Sequence, residues 1–344
     1  MLDFSNTSIN EVIAHTVGGS DDDLVLSAST INLNDSLLAN LLNDYFLGSF
    51  KGAGFYSLHH DSELNLNEIY SYCKDYFQGE IDFIDFSRRV ANHLKHVSTH
   101  PNIKSGELYI ASFSDMVVDD ELVDGIGIFK SESKERFLKV NRGASISVSC
   151  EFGASPRKLD KGCLVFNTEQ ELGFKLCVVD NTNRDEAKYW LNDFLRAKPR
   201  NDDFYQTKQA INLCHEFVQE VVKPENQFPM VEQADLLCKS RDFFKVNDVF
   251  KQDEFEEEVI QKPEMVEAFR DFKQKYEVEQ GFNIPDGFKI STDATRQSQK
   301  FFKSIIKLDR NFHVYIHGSR ERVERGFDAD AGLNYYKLYF DQES

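Results

Sequence analysis

The chain has 344 residues and a formal net charge of −18, from 40 basic and 58 acidic side chains. So strong a negative charge repels nucleic acid and anionic membrane overall, and any nucleic-acid role must come from a local patch. Hydrophobic residues make up 41 % of the chain, including 30 Phe and 13 Tyr, which is too apolar for intrinsic disorder, while 7 Pro and 18 Gly leave little for long linkers.

Ile9 to Val17 and Leu24 to Ser29 read as short strands joined by a loop of Gly18, Gly19 and Asp21 to Asp23. Asn34 or Asp35 supplies a helix N-cap. Leu37, Leu38, Leu41, Leu42, Tyr45 and Phe46 follow at helical spacing, and Gly48 ends that helix. Phe55 to Leu58 reads as a strand and Leu66 to Phe77 as a helix. Phe83, Phe86, Val90, Leu94 and Val97 recur at three- and four-residue steps, which predicts a further helix ending before Pro101. Six strand-like runs follow: Glu107 to Phe113, Leu122 to Lys130, Arg136 to Val140, Ser145 to Phe152, Gly162 to Asn167 and Phe174 to Val179. Their spacing predicts an antiparallel meander, with a bulge at Asp124-Gly125.

Beyond Asn181 the pattern turns helical. Arg184 to Arg196 carries the only tryptophan, Trp190. Phe204 to Val222 has one apolar stripe (Phe204, Ile211, Cys214, Val218, Val221) and stops at Pro224; Met230 to Phe244 and Pro263 to Gln280 are further helices. The acidic run Asp253, Glu254, Glu256, Glu257, Glu258 reads as a solvated face. Phe288 to Ile290 is a short strand, and a helix starts near Ser291 to Asp293. Ile305 to Leu308 and Phe312 to His317 flank Asp309, Arg310 and Asn311 as a hairpin, and Leu333 to Phe340 is a last strand. The expected fold is therefore α+β. An N-terminal antiparallel meander with helices spans 1–182; a helical middle layer and a C-terminal β-hairpin module span 183–344.

No catalytic centre, metal site or cofactor motif emerges. The six cysteines form no C-x-x-C pair and read as reduced thiols of a cytoplasmic protein. No run of apolar residues is long enough for a membrane span, and the N-terminus lacks a signal pattern. Asp124-Gly125-Ile126-Gly127 lacks the third glycine of a dinucleotide fingerprint. His93, His96 and His100 share a helix face, but histidines at a helix C-terminus suit the helix dipole without any metal. Asp124 with Glu132-Ser133-Lys134 spells the D…E-x-K string of Mg²⁺-dependent nucleases, here falling in a charged turn.

Charge is segregated near the C-terminus. Residues 287–326 hold nine basic and four acidic side chains, a net of +5, whereas 247–286 hold five and twelve, a net of −7. At about 100° per residue, Arg296, Lys300 and Lys303 fall on one helical stripe opposite Phe301, Phe302 and Ile305. Arg296, Lys300, Lys303, Lys307, Arg320 and Arg322 are the candidate phosphate-binding residues, acting through charge and counterion release.

Several blocks, in order, resemble the bacterial 37-kDa nucleoid-associated protein family (NdpA-like). These are Ile9-Asn10-Glu11-Val12-Ile13-Ala14-His15, then Phe86-Ser87-Arg88-Arg89 with Leu94, Pro101 and Gly106-Glu107-Leu108. Further on come Arg296-Gln297, Lys300-Phe301, a hairpin through Phe312 to Ile316, Arg320 to Arg325 and a strand near Leu338. Asp309-Arg310-Asn311 departs from the glycine-rich turn expected there. The resemblance implies a nucleoid-associated protein without enzymatic activity. The expected function is weak, sequence-independent DNA binding through the C-terminal basic ridge; the alternative is an acidic module engaging basic nucleoid or DNA-topology proteins, and behind it stands a Mg²⁺-dependent nuclease using Glu132 and Lys134, which rests on the D…E-x-K string alone. No membrane partner is expected, and a homodimer is compatible with the sequence.

Overall fold

The chain divides into two units, Met1–Arg200 and Asn201–Ser344. The computed structural model describes all residues except 1, 19–23, 101–102, 144, 158, 183–188, 224–229, 303, 309–311, 317–322 and 343–344. The expected boundary at residue 182 moves to 200 for a physical reason. Tyr189, Trp190, Phe194 and Leu195 lie on a π-helical segment, Tyr189–Leu195, and are buried in the first unit's core. Ala197–Pro199 then pairs with the sheet of that unit.

The first unit is built on one sheet. Its elements in chain order are β1 (Leu2–Asp3), β2 (Ser8–Val17), α1 (Ser36–Leu47), β3 (Phe55–Leu58), α2 (Glu68–Phe77), α3 (Phe83–Val97), β4 (Gly106–Val118), β5 (Glu121–Ser131), β6 (Lys134–Arg142), β7 (Ile146–Ala154), β8 (Lys161–Phe166), β9 (Lys175–Asp180) and β10 (Ala197–Pro199). The sheet runs β1-β4-β5-β8-β9-β3-β10, with β2 also pairing β4, and every pairing is antiparallel. The expected meander is thus real from β4 to β9, except that β6 and β7 leave it. They pair only with each other, as an exposed ribbon inserted between neighbouring strands.

Helices cover both faces, so the central strands are apolar on both sides. Ile126, Ile128, Cys163 and Val165 pack with α2 and α3 through Ile69, Cys73, Phe86, Val90 and Leu94. The alternate residues Phe129, Leu164 and Phe166 pack with α1 through Tyr45 and Phe46. Phe46 and Phe129 stack at 4.3 Å between centroids. The helix starts are fixed by side-chain caps. Asp35 accepts the Leu37 N–H at 2.9 Å and Asp82 accepts the Asp85 N–H at 2.8 Å. The bulge falls opposite the expected place. Phe113 pairs Gly125 and Met116 pairs Val123, so Ser114 and Asp115 of β4 face Asp124 alone, and Asp115 takes a positive φ of 59°. A Cβ on Gly125 would lie 2.7 Å from the Met116 sulfur.

The second unit is a phenylalanine-rich helical layer carrying small ribbons. It comprises α4 (Asp203–Glu220), α5 (Met230–Val246), β11 (Val249–Lys251), α6 (Gln252–Phe255), α7 (Pro263–Gln280), β12 (Gly287–Lys289), α8 (Thr292–Gln297), β13 (Ser304–Leu308), β14 (Phe312–Ile316), β15 (Val323–Asp328) and β16 (Leu333–Leu338). The ribbon β11–β12 lays Phe250 and Phe288 face to face at 4.8 Å, and Phe244 of α5 stacks on Phe250 at 5.8 Å. Each fully buried Phe contributes about 1.5–3 kcal/mol by leaving water. Leu308, Val314, Val323 and Tyr336 of the last two ribbons pack against Ala234 of α5. β15 had no counterpart among the expected strands. Its sequence, Val-Glu-Arg-Gly-Phe-Asp, has little apolar alternation because the strand is mostly exposed.

Candidate nucleic-acid interface

The expected basic stripe does not form on one helix. Ser291 caps α8 by accepting the Ala294 N–H at 3.3 Å, and the helix closes at Gln297. A separate 3-10 turn, Gln299–Phe302, follows, and β13 begins at Ser304. Arg296 and Lys300 therefore belong to different elements, and a constant 100° step cannot relate them. Lys307 lies on β13 opposite His313. Lys303, Arg320 and Arg322 lie outside the described residues.

The two described cations behave differently. Arg296 is exposed and engaged, its Nη2 lying 2.9 Å from Asp293 Oδ1. Lys300 has no carboxylate partner among the described residues. Its Nζ lies 5.1 Å from the ring centroid of Phe301. His215 of α4 holds the turn in place through a 2.9 Å contact from Nδ1 to the Phe301 carbonyl. That brings Lys300 towards Lys208, an exposed residue on α4 which also lacks a carboxylate partner among the described residues. Burial of its surroundings, and then the Lys300 charge, hold the Lys208 ammonium below the usual lysine range. Two cations that repel each other gain from any anion placed between or above them. Lys208 lies about ninety positions before its neighbour, on a helix whose legible pattern is its apolar stripe, so spacing alone does not pair the two.

The nuclease string is not assembled. Asp124 is exposed midway along β5, and Glu132 lies just beyond its end, roughly 26 Å away at about 3.3 Å per strand residue. Lys134 is taken by Glu107 at 2.8 Å. Glu132 is instead buried in a charge cluster where β5 turns into β6. Its Oε1 lies 3.0 Å from Lys130 Nζ, its Oε2 lies 3.6 Å from Lys161 Nζ, and it accepts the Tyr189 hydroxyl at 3.1 Å. Lys130 also donates to the Lys104 carbonyl at 2.8 Å, and Lys161 lies 3.4 Å from Asp180. Asp160 accepts the backbone N–H groups of Glu132 and Ser133 at 2.7 and 2.8 Å and the Ser133 hydroxyl at 2.9 Å. Burial pushes the Lys130 ammonium below the usual lysine range, against the pull of Glu132. Every member of the cluster has an internal partner, so the cluster fixes the chain where the β6–β7 ribbon leaves the sheet.

The histidine face is also divided. His93 is buried, with Nε2 3.0 Å from the Phe194 carbonyl and its ring stacked on Phe194 at 5.4 Å, whereas His96 and His100 are exposed. No group of three or more His, Cys, Asp or Glu among the described residues could hold a metal. No described helix is long and apolar enough to cross a membrane.

Fold and charge together define an acidic α+β protein that keeps a few cations unpaired at its surface. Residues 13–332 match the family described as nucleoid-associated protein YejK. The chain belongs to that family of nucleoid-associated proteins. No curated protein matches it.

Proposed function

We propose that this nucleoid-associated protein contacts duplex DNA directly, weakly and without sequence preference, through C-terminal cations, and that it has no enzymatic role. The contact comprises Lys300 with Lys208, together with Arg296, Lys303, Lys307, Arg320 and Arg322. One observation carries the reading: Lys208 and Lys300 are both exposed, each within reach of the other's charge and without a carboxylate partner among the described residues, in a chain of net charge −18. Such cations hold phosphates rather than read bases. The experiment is a salt titration of binding to a mixed-sequence duplex. K208A/K300A is expected to lower the slope of log K against log[salt] by about 1.8 units, at about 0.9 per phosphate contact. An unchanged slope rejects the reading.

A second reading has its own observation. Asp253, Glu256, Glu257, Glu267 and Asp271 line a shallow cavity of about 690 Å³ beside α7, with Arg270 as its only cation. Arg270 is already held by Glu256 at 3.0 Å. In this reading the acidic rim binds a basic nucleoid protein, and the protein is retained from nuclease-treated extract by partners that do not need DNA.

A further inference from the structure

The β6–β7 ribbon is a second feature that a packed core does not account for. All nine residues of β6 are exposed, and the ribbon makes no pairing outside itself. Its strands are about 30 Å long at roughly 3.3 Å per residue. Its base is the buried cluster of Lys130, Glu132, Asp160 and Lys161, so it projects from a fixed point.

Its two faces differ. Directly paired residues point to the same side of a ribbon. One side collects Lys134 with Ala154, Arg136 with Phe152, Leu138 with Cys150, Val140 with Val148, and Arg142 with Ile146. That side holds three cations, six apolar groups and one thiol, and no carboxylate. Leu138, Val140, Ile146, Val148 and Phe152 are each more than half exposed. The ribbon's two acids, Glu135 and Glu151, lie on the other side, where Glu151 pairs with Lys139 at 3.0 Å. On the apolar side only Lys134, at the base, has an acid partner. Arg136 lies 5.2 Å over the Phe152 ring, and neither it nor Arg142 meets a carboxylate among the described residues.

Five large apolar side chains left in water call for a partner, and the charge selects it. A second copy of the same face would set Arg136 and Arg142 against identical cations. A polyanion with apolar patches suits the face better. The major groove of duplex DNA, about 12 Å wide, admits a two-stranded ribbon, and its thymine methyls offer apolar contact, while the ~6 Å minor groove would first have to be forced open.

We propose that the β6–β7 ribbon enters the DNA major groove, Arg136 and Arg142 holding the flanking phosphates while Leu138, Val140 and Val148 lie against base edges. This rests on the DNA-binding reading above but concerns a different site in the other unit. The test uses the full chain, a labelled 30-base-pair mixed-sequence duplex, and four proteins: wild type, R136S/R142S, L138S/V140S and K208A/K300A. The ribbon side chains are exposed, so these variants fold. R136S/R142S is expected to lower the salt slope by about 1.8 units. Wild type is expected to protect guanine N7, a major-groove atom, from methylation. Both ribbon variants are expected to lose that protection. If wild type binds while R136S/R142S keeps its slope and its N7 protection, the ribbon proposal is wrong, and the C-terminal reading is judged separately by K208A/K300A. If the ribbon variants change the sedimenting mass but not DNA binding, the face is a self-association surface and the proposal falls. If wild type binds no duplex at low salt, both readings fall together.

Discussion

The base of the β6–β7 ribbon and its blade use the same cationic chemistry to opposite ends. At the base, Lys130 and Lys161 are almost wholly enclosed, and each contacts Glu132. A few residues further on, Arg136 and Arg142 stand in solvent with no carboxylate partner among the described residues. The difference is desolvation. An ammonium removed from water must be matched by carboxylates and hydrogen bonds, and once matched it has nothing left to offer a ligand. An exposed guanidinium keeps its hydration and can exchange it for a phosphate. Whether a cation belongs to the fold or to function is therefore read from its partners, and both sets here occur within one hairpin.

The largest effect should come from the enclosed set. K130M leaves Glu132 short of one partner inside the protein, and such breaks cost about 3–5 kcal/mol. Urea unfolding followed by the fluorescence of Trp190, buried in the same unit, reads the loss. Removing charge on both sides, as K130M/E132L, should recover part of it, because no unmatched carboxylate is left beside position 130, while Lys161 keeps Asp180. R136S should move the same curve by less than about 0.5 kcal/mol. Equal losses for K130M and R136S would break the comparison.

Acid sharpens the enclosed side further. His15 is buried on β2, and its Nδ1 accepts the Ser27 N–H at 3.1 Å, which puts the proton on Nε2. Burial, and then the nearby Arg88 charge, lower its pKa to about 4. The unfolded chain, with an ordinary histidine, binds more protons than the folded one between pH 4 and about 6.5. This stabilising contribution is therefore complete above about pH 6.5 and is lost as pH falls towards 4, with a total of about 3 kcal/mol at 1.36 kcal/mol per unit. The urea midpoint should fall across that window, and H15Q should flatten the fall. A midpoint equally pH-dependent in H15Q would assign the effect to other groups.

Where one face of an element is buried, its pattern was legible. The apolar steps from Phe83 to Val97 marked α3, and Pro263 to Gln280 marked α7, because a single hydrophobic face forces a 3.6-residue period. The β6–β7 strands were legible as strands but not as a ribbon leaving the sheet. Alternation marks which side chains share a face and is silent on whether that face is covered. The charge site was less legible. A helical wheel carried Arg296, Lys300 and Lys303 as one stripe across Ser298, where the backbone leaves α8 for a 3-10 turn. Lys208 comes from a distant helix, and only tertiary packing, through His215 and Phe301, sets it beside Lys300. The D…E-x-K string was legible as a charged turn, but the buried structural task of Glu132 was not, because spacing does not encode burial.

The smallest expected effect separates Arg296 from Lys300. Arg296 and Lys300 are four positions apart and both exposed, but Asp293 lies 2.9 Å from the Arg296 guanidinium. An exposed pair of this kind is worth only about 0.2–1 kcal/mol to stability, so neither substitution should shift unfolding measurably. DNA binding should tell them apart. K300A is expected to lower the salt slope by about 0.9 units, one phosphate contact. R296A should change it by much less, because its charge is already compensated within α8. D293N should do the reverse of a deletion and steepen the slope, by releasing the guanidinium. If R296A and K300A lower the slope equally, the carboxylate does not hold its arginine against DNA, and pairing in the folded chain no longer sorts the cations that act from those that do not.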